Sequence, residues 1–197
     1  MINKSDITAV ILAGGRGRRM EGADKGLMEL DGRPLIGHIL DAIEPQVNQV
    51  LINANRNTDD YASYGYAVIP DELENYQGPL AGFAAAMTQA TTRYIVTLPC
   101  DGPHVPANMV QRLSSAMKQS QADVAVAHDG TRLQPVHAMI TVSLLPSLKE
   151  FLDAGNRKID LWYAKHKMAL ADFSDNPEIF NNINTPQEHL QMQGGKA

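Results

Sequence analysis

Short β-branched apolar runs alternate with segments of helical period along almost the whole chain, and that alternation leaves few folds open. Residues 7–12 read as a buried strand that runs straight into glycines. Leu35, Ile36, Ile39, Leu40 and Ile43 then recur at helical spacing behind Pro34, a residue suited to a first turn. Further strands are predicted at 50–52, 67–69, 94–98, 123–127 and 136–140. Further helices are predicted at 79–90, around Met109, Val110, Leu113 and Met117, and around Leu144, Leu145, Leu148, Phe151 and Leu152. Thr185-Pro186-Gln187-Glu188 is a capping box with proline at the first helical position, which predicts a last helix. Such a chain folds as an α/β protein on a mostly parallel sheet with right-handed crossovers. Its ligands sit beyond the carboxyl ends of the strands. The segments 13–26, 53–56, 70–82 and 99–103 all follow strands, so they should meet in one crevice.

Composition narrows the class. The 197 residues are 44% apolar and 20% charged, which suits a folded chain with its own core. No unbroken apolar run approaches the ~20 residues of a membrane span, and residues 1–6 lack a secretory leader pattern, so a cytoplasmic location is expected. Cys100 is the only cysteine, which allows neither an internal disulfide nor a thiolate cage. Seventeen basic against 22 acidic residues give a net charge of −5, a poor balance for binding nucleic acid or anionic membranes. Residues 16–25 run against that balance. They carry Arg16, Arg18, Arg19 and Lys25 against Glu21 and Asp24, a basic island that suits a small anionic ligand.

The island lies within Leu12-Ala13-Gly14-Gly15-Arg16-Gly17-Arg18-Arg19-Met20-Glu21-Gly22-Ala23-Asp24-Lys25-Gly26. Glycines let a backbone approach a phosphate and turn its N–H groups inward, arginines add forked donors, and a lysine adds a point charge. The run is neither a Walker A loop nor a dinucleotide fingerprint. After the fourth strand, Pro99-Cys100-Asp101-Gly102-Pro103 presents one aspartate on a stiff turn. One carboxylate is enough for Mg²⁺ where substrate phosphates and water supply the other ligands. Cys100 has no cationic or histidine neighbour in the sequence and reads as a small buried residue. His104, His128 and His137 lack metal-ligand spacing.

These motifs carry a resemblance. Leu12-Ala13-Gly14-Gly15, Arg18-Arg19-Met20 and Asp24-Lys25-Gly26 resemble the signature of the glycosyltransferase-A-like nucleotidyltransferases, and within them of the molybdenum cofactor guanylyltransferases. Asn53-Ala54-Asn55-Arg56, Pro70-Asp71, Gly78-Pro79-Leu80-Ala81-Gly82, Pro99-Cys100-Asp101 and Asn182-Ile183-Asn184-Thr185-Pro186 extend the similarity over nearly the whole chain. Two residues depart from the pattern: Glu21 stands where the family commonly has glycine, and Gly102 where a larger residue usually precedes the proline.

The resemblance implies a Rossmann-like three-layer nucleotidyltransferase fold, with a mostly parallel central sheet flanked by helices, as one domain over 1–193 with a flexible tail at 194–197. It implies transfer of GMP from GTP to the phosphate of molybdopterin, with or without molybdenum, and release of pyrophosphate. Leu12, Ala13, Gly14 and Gly15 would line the nucleotide. Lys25 and Arg19 would neutralise phosphate oxygens, and Asp101 would hold Mg²⁺. Asn53 and Asp71 fall at the guanosine end: a carboxylate can accept from guanine N1–H and N2–H₂ together, and an amide offers the alternative. Gly82, without a side chain, would let base or ribose lie close. The late half would hold the acceptor, through the amides of Asn182 and Asn184 and the charges of Arg157 and Lys158. Molybdenum-insertion proteins and apo-molybdoenzymes are the expected protein partners. The same fold also serves cytidylyltransferases acting on molybdopterin and sugar-1-phosphate nucleotidyltransferases. A non-catalytic molybdopterin carrier would have no need of Lys25 and Asp101.

Overall fold

The computed structural model describes residues 2–14, 24–72 and 78–183. In chain order it runs β1 (Ile7–Leu12), β2 (Glu29–Leu30), β3 (Arg33–Pro34), α1 (Leu35–Ile43), β4 (Gln49–Asn53), α2 (Thr58–Ala62), β5 (Ala67–Ile69), α3 (Pro79–Gln89) and β6 (Tyr94–Pro99). It continues with α4 (Met109–Ser120), β7 (Val124–His128), β8 (Leu133–Thr141), α5 (Leu145–Asp153), α6 (Ile159–Tyr163) and β9 (Met168–Asp172). A seven-stranded sheet forms in the order β5-β4-β1-β6-β8-β7-β9. Every neighbouring pair is parallel except the two that involve β8.

The sheet is covered on both faces, which is why its central strands read as continuous apolar runs. Ile7, Ala9 and Ile11 of β1 face the apolar stripes of α1 (Ile36, Ile39, Leu40, Ile43) and α4 (Met109, Val110, Leu113, Met117). Val10 points the other way, into a layer built from Leu80 and Phe83 of α3, Leu148 and Phe151 of α5, and Trp162 and Tyr163 of α6. These are the three layers and the mostly parallel sheet expected from the sequence. Among the described residues no helix is long and apolar enough to cross a membrane.

Several elements escaped the periodicity. β2 and β3 form a hairpin across Asp31 and Gly32, both with positive φ (53° and 75°), the backbone that an Asp-Gly two-residue turn adopts. β9 alternates buried and exposed residues with alanines on its inner face, too weak an apolar signal to mark a strand. α2 and α6, five residues each, are too short to show a helical period. β8 begins three residues earlier than expected and contains Pro135. The proline is tolerated because the β7–β8 register jumps there, with Val126 opposite Ala138 but Ala127 opposite Gln134. Pro34 is the N-cap of α1 rather than its first residue. The predicted helix from Thr185 and the tail 194–197 lie outside the described residues.

His137 on β8 is buried with its ring edge-on to Phe180, 4.9 Å between centroids. Burial lowers its pKa to about 4 from an ordinary 6.5. Between those values the unfolded chain takes up a proton that the folded chain refuses. Stability present above pH 6.5 is therefore lost as the pH falls toward 4, by at most about 3 kcal/mol. Denaturant unfolding at pH 7 and pH 4.5 should show a drop in the native chain about 2–3 kcal/mol larger than in His137→Phe, which has nothing to protonate there.

Candidate active site

The chain leaves β1 for β4 and β5 on one side, then returns through α3 to β6 on the other side. Strand order reverses at β1, so the loops at its carboxyl end diverge and open a crevice. Two backbone bonds tie the neighbouring loops to that end. Ala13 N–H donates to Asn53 O at 2.8 Å, and Cys100 N–H donates to Leu12 O at 3.2 Å.

On the β4–β5 side, Asn53 is 3% exposed and its amide nitrogen donates to Ile69 O at 3.2 Å and to Asp71 Oδ1 at 2.9 Å. With both protons so placed, its carbonyl oxygen is left facing Gly14 and Gly82. A Cβ on Gly82 would lie 2.4 Å from Asn53 Oδ1 and 2.7 Å from Leu12 Cδ2. A Cβ on Gly14 would lie 2.8 Å from Asn55 Nδ2. The side chains of Asn53 and Leu12 thus pack directly on the backbone of Gly82. Asp71 is clamped at two points by Asn55, whose Nδ2 donates to Asp71 Oδ2 at 2.8 Å and whose Oδ1 accepts from Asp71 N–H at 2.8 Å. Both carboxylate oxygens of Asp71 therefore carry an amide donor already, each with one lone-pair direction left for a ligand. Asn55 was not among the expected site residues. Its signal was available, since Asn53 and Asn55 are two apart at the end of a strand and share a face.

On the β6 side, Lys25 opens a short 3₁₀ turn and its Nζ meets Asp101 Oδ2 at 2.8 Å. The two side chains are 21% and 14% exposed, open enough to meet a ligand. The Asp101 carbonyl accepts Ile183 N–H at 2.9 Å. Ile183 is itself buried with Leu30 and Leu35, so the late chain crosses the early hairpin to reach the aspartate turn. A Cβ on Gly102 would stand 3.0 Å from Asn182 Oδ1, so the glycine that departs from the family pattern lets Asn182 pack on the turn. Cys100 is buried, and burial followed by the charge of Asp101 pushes its thiol well above the ordinary range. It is a neutral thiol and no nucleophile.

Gly15, Arg19 and Asn184 lie outside the described residues, as do Arg16, Arg18 and Glu21. Arg157 Nη1 donates to the carbonyls of Leu152 and Asn156 at the end of α5, and Lys158 is the N-cap of α6. Among the described residues no group of three or more His, Cys, Asp or Glu is placed to hold a metal ion. Asp101 offers one carboxylate there, and Mg²⁺ is an ion that one carboxylate can hold when phosphate and water complete its shell.

The MobA-like NTP transferase domain family matches residues 9–168. The molybdenum cofactor guanylyltransferases of Shewanella sediminis and Shewanella loihica are 54% and 53% identical to this chain over 186 residues, 94% of it and 95% of theirs. Among solved structures, the molybdopterin-guanine dinucleotide biosynthesis protein A of Archaeoglobus fulgidus superposes with a TM-score of 0.79. It covers 94% of this chain and 96% of its own at 22% identity, a likeness of fold.

Gly82→Ala separates two opposed effects. Alanine in a helix is favoured over glycine by about 1 kcal/mol, while overpacking a buried site costs about 1–3 kcal/mol. With two neighbours inside 3 Å the upper end applies. Chemical denaturation should therefore find the variant about 1–2 kcal/mol less stable than the native chain. A gain in stability would mean that Asn53 moves aside freely.

Proposed function

This chain belongs to the MobA-like NTP transferase family, among relatives named molybdenum cofactor guanylyltransferases, and on that premise we propose how its own residues carry the transfer of GMP from GTP to molybdopterin. It is a nucleotidyltransferase. The observation that carries the reading of the site is the Lys25–Asp101 pair, one cation and one carboxylate 2.8 Å apart beyond the ends of β1 and β6.

The acceptor phosphate of molybdopterin is already an anion, so its oxygen needs no general base to attack the α-phosphorus of GTP. The bond formed is O–P to the pterin, and the bond broken is the α–β bridge, with pyrophosphate leaving. The protein's work is positioning and neutralisation. Lys25 Nζ exchanges Asp101 for α-phosphate and leaving-group oxygens. The backbone N–H of Gly14, at the carboxyl end of β1, would receive the triphosphate. Asn53 holds Asp71, whose remaining lone pairs would receive the paired N–H donors of guanine at the guanosine end. Asp101 would hold Mg²⁺, which supplies charge neutralisation across the phosphates. Asn182, packed on the Asp101 turn, stands on the side where the acceptor must enter.

Mass analysis of the product made from GTP, Mg²⁺ and molybdopterin tests the reaction. A guanine dinucleotide is expected, with little product from CTP, ATP or UTP, and preferential use of CTP would assign a cytidylyltransferase instead. Asp101→Asn keeps the size of the side chain but loses the charge that faces both Lys25 and the metal. Its turnover should fall about a hundredfold or more at limiting Mg²⁺, with the fold intact by circular dichroism. Turnover near that of the native chain would remove Asp101 from the metal site.

A further inference from the structure

Asp24 immediately precedes Lys25, yet it is far more buried, with 5% of its side chain exposed. Its carboxylate meets three groups. The Tyr61 hydroxyl donates to Oδ1 at 2.5 Å, the Asn57 amide donates to Oδ2 at 2.9 Å, and Arg56 Nε lies 3.5 Å from Oδ2. All three belong to the stretch that leaves β4 and forms α2. Tyr61 is fully buried, and desolvation raises its phenol well above the ordinary range, so it remains a donor. Asn57 holds a left-handed backbone at φ 50°, which asparagine tolerates better than most residues. Beyond Lys25, Gly26 lies against the same support. A Cβ there would stand 2.5 Å from the Tyr61 hydroxyl and 3.3 Å from Cys100 Cβ. Lys25 is thus bracketed by two buried neighbours, one fixed on α2 and one fixed on the residue before Asp101.

A carboxylate this buried, with donors on both oxygens, is committed to the protein rather than to a metal or a substrate. We propose that Asp24 is a positioning residue for Lys25: with Tyr61, Asn57 and Arg56 it fixes the turn that begins at Lys25, so that Nζ is held where Asp101 and the phosphates of a nucleoside triphosphate meet. This rests on Lys25 as a phosphate ligand, the reading given above. Asp24 acts through the backbone of its neighbour, and its loss should be felt only by ligands that Lys25 touches.

Calorimetry with GTP and with guanosine, in the presence of Mg²⁺, tests this on four chains: native, Asp24→Asn, Lys25→Met and the double variant. Asp24→Asn should weaken GTP about tenfold and leave guanosine within about twofold, since a hydrogen-bonded charged group has lost its charge at a distance from the base. In the Lys25→Met background the same change should cost GTP less than about twofold, the non-additivity of residues that act as one unit. An equal loss in both backgrounds, or a parallel loss of guanosine, would overturn the proposal and make Asp24 a support of the fold. GTP affinity unchanged by Lys25→Met would remove the phosphate-ligand reading itself, and the proposal with it. Should Asp24→Asn fail to fold, Tyr61→Phe keeps the ring and deletes one donor. A loss of about three- to fivefold for GTP alone is then expected in the same cycle, and no loss would overturn the proposal.

Discussion

Level strand ends are the constraint on which the rest of this molecule depends. In the parallel register of the sheet Leu12 stands opposite both Asn53 and Pro99, and Asn53 stands opposite Ile69. Four strands therefore stop together, and the residues that follow them share one edge: Ala13 and Gly14, Ala54 and Asn55, Pro70 and Asp71, Cys100 and Asp101. A slip of one residue in β4 would swing Asn53 to the opposite face and leave Asp71 without its amide. Because β1, β4 and β6 bury both faces against helices, such a slip would set their isoleucines and valines against helix side chains they do not fit. The apolar core is what enforces the alignment of the polar edge.

Within that edge the polar groups are arranged unequally. Asn53, Asn55 and Asp71 satisfy one another, and Gly14 and Gly82 are glycines because this network and Leu12 occupy the space a side chain would need. Lys25 and Asp101 form a partly exposed ion pair. Its two members each have a stronger partner in the complex proposed here, a phosphate for the lysine and a metal ion for the aspartate. In the proposed complex the mutually satisfied amides would set Asp71 for a planar base, and the ion pair would be exchanged as substrate arrives.

Much of the frame was legible in the sequence because burial on both faces produces long apolar runs, and glycine, proline and asparagine mark where they stop. β9 was missed because alanine supplies its inner face, and the Asp31-Gly32 hairpin because its strands are two residues each. The partners of the site residues were harder to read. Nothing in spacing says that Lys25 meets a residue 76 positions away; the strand ends brought their two segments to one crevice, and the resemblance to known nucleotidyltransferases gave the two residues their roles. Gly82 was legible as a place of close approach, but whether a ligand or a neighbouring side chain does the approaching is a fact of packing. Asn55 was hidden beside Asn53, which has the same chemistry two positions earlier.

The late chain joins this edge as well. Ile183 donates to the carbonyl of Asp101, and Asn182 packs on Gly102. Ile183 is also buried against Leu30 and Leu35, a few residues beyond Lys25. The segment proposed to face molybdopterin therefore touches the turn proposed to hold the metal, and rests on the hairpin that follows the phosphate lysine. In the site proposed here, acceptor and metal would share one support. What joins the two is the backbone hydrogen bond from Ile183 N–H, next to Asn182, to the carbonyl of Asp101. On that proposal one strand end would serve donor and acceptor together, with the attacking oxygen on one side of the α-phosphorus and pyrophosphate leaving on the other.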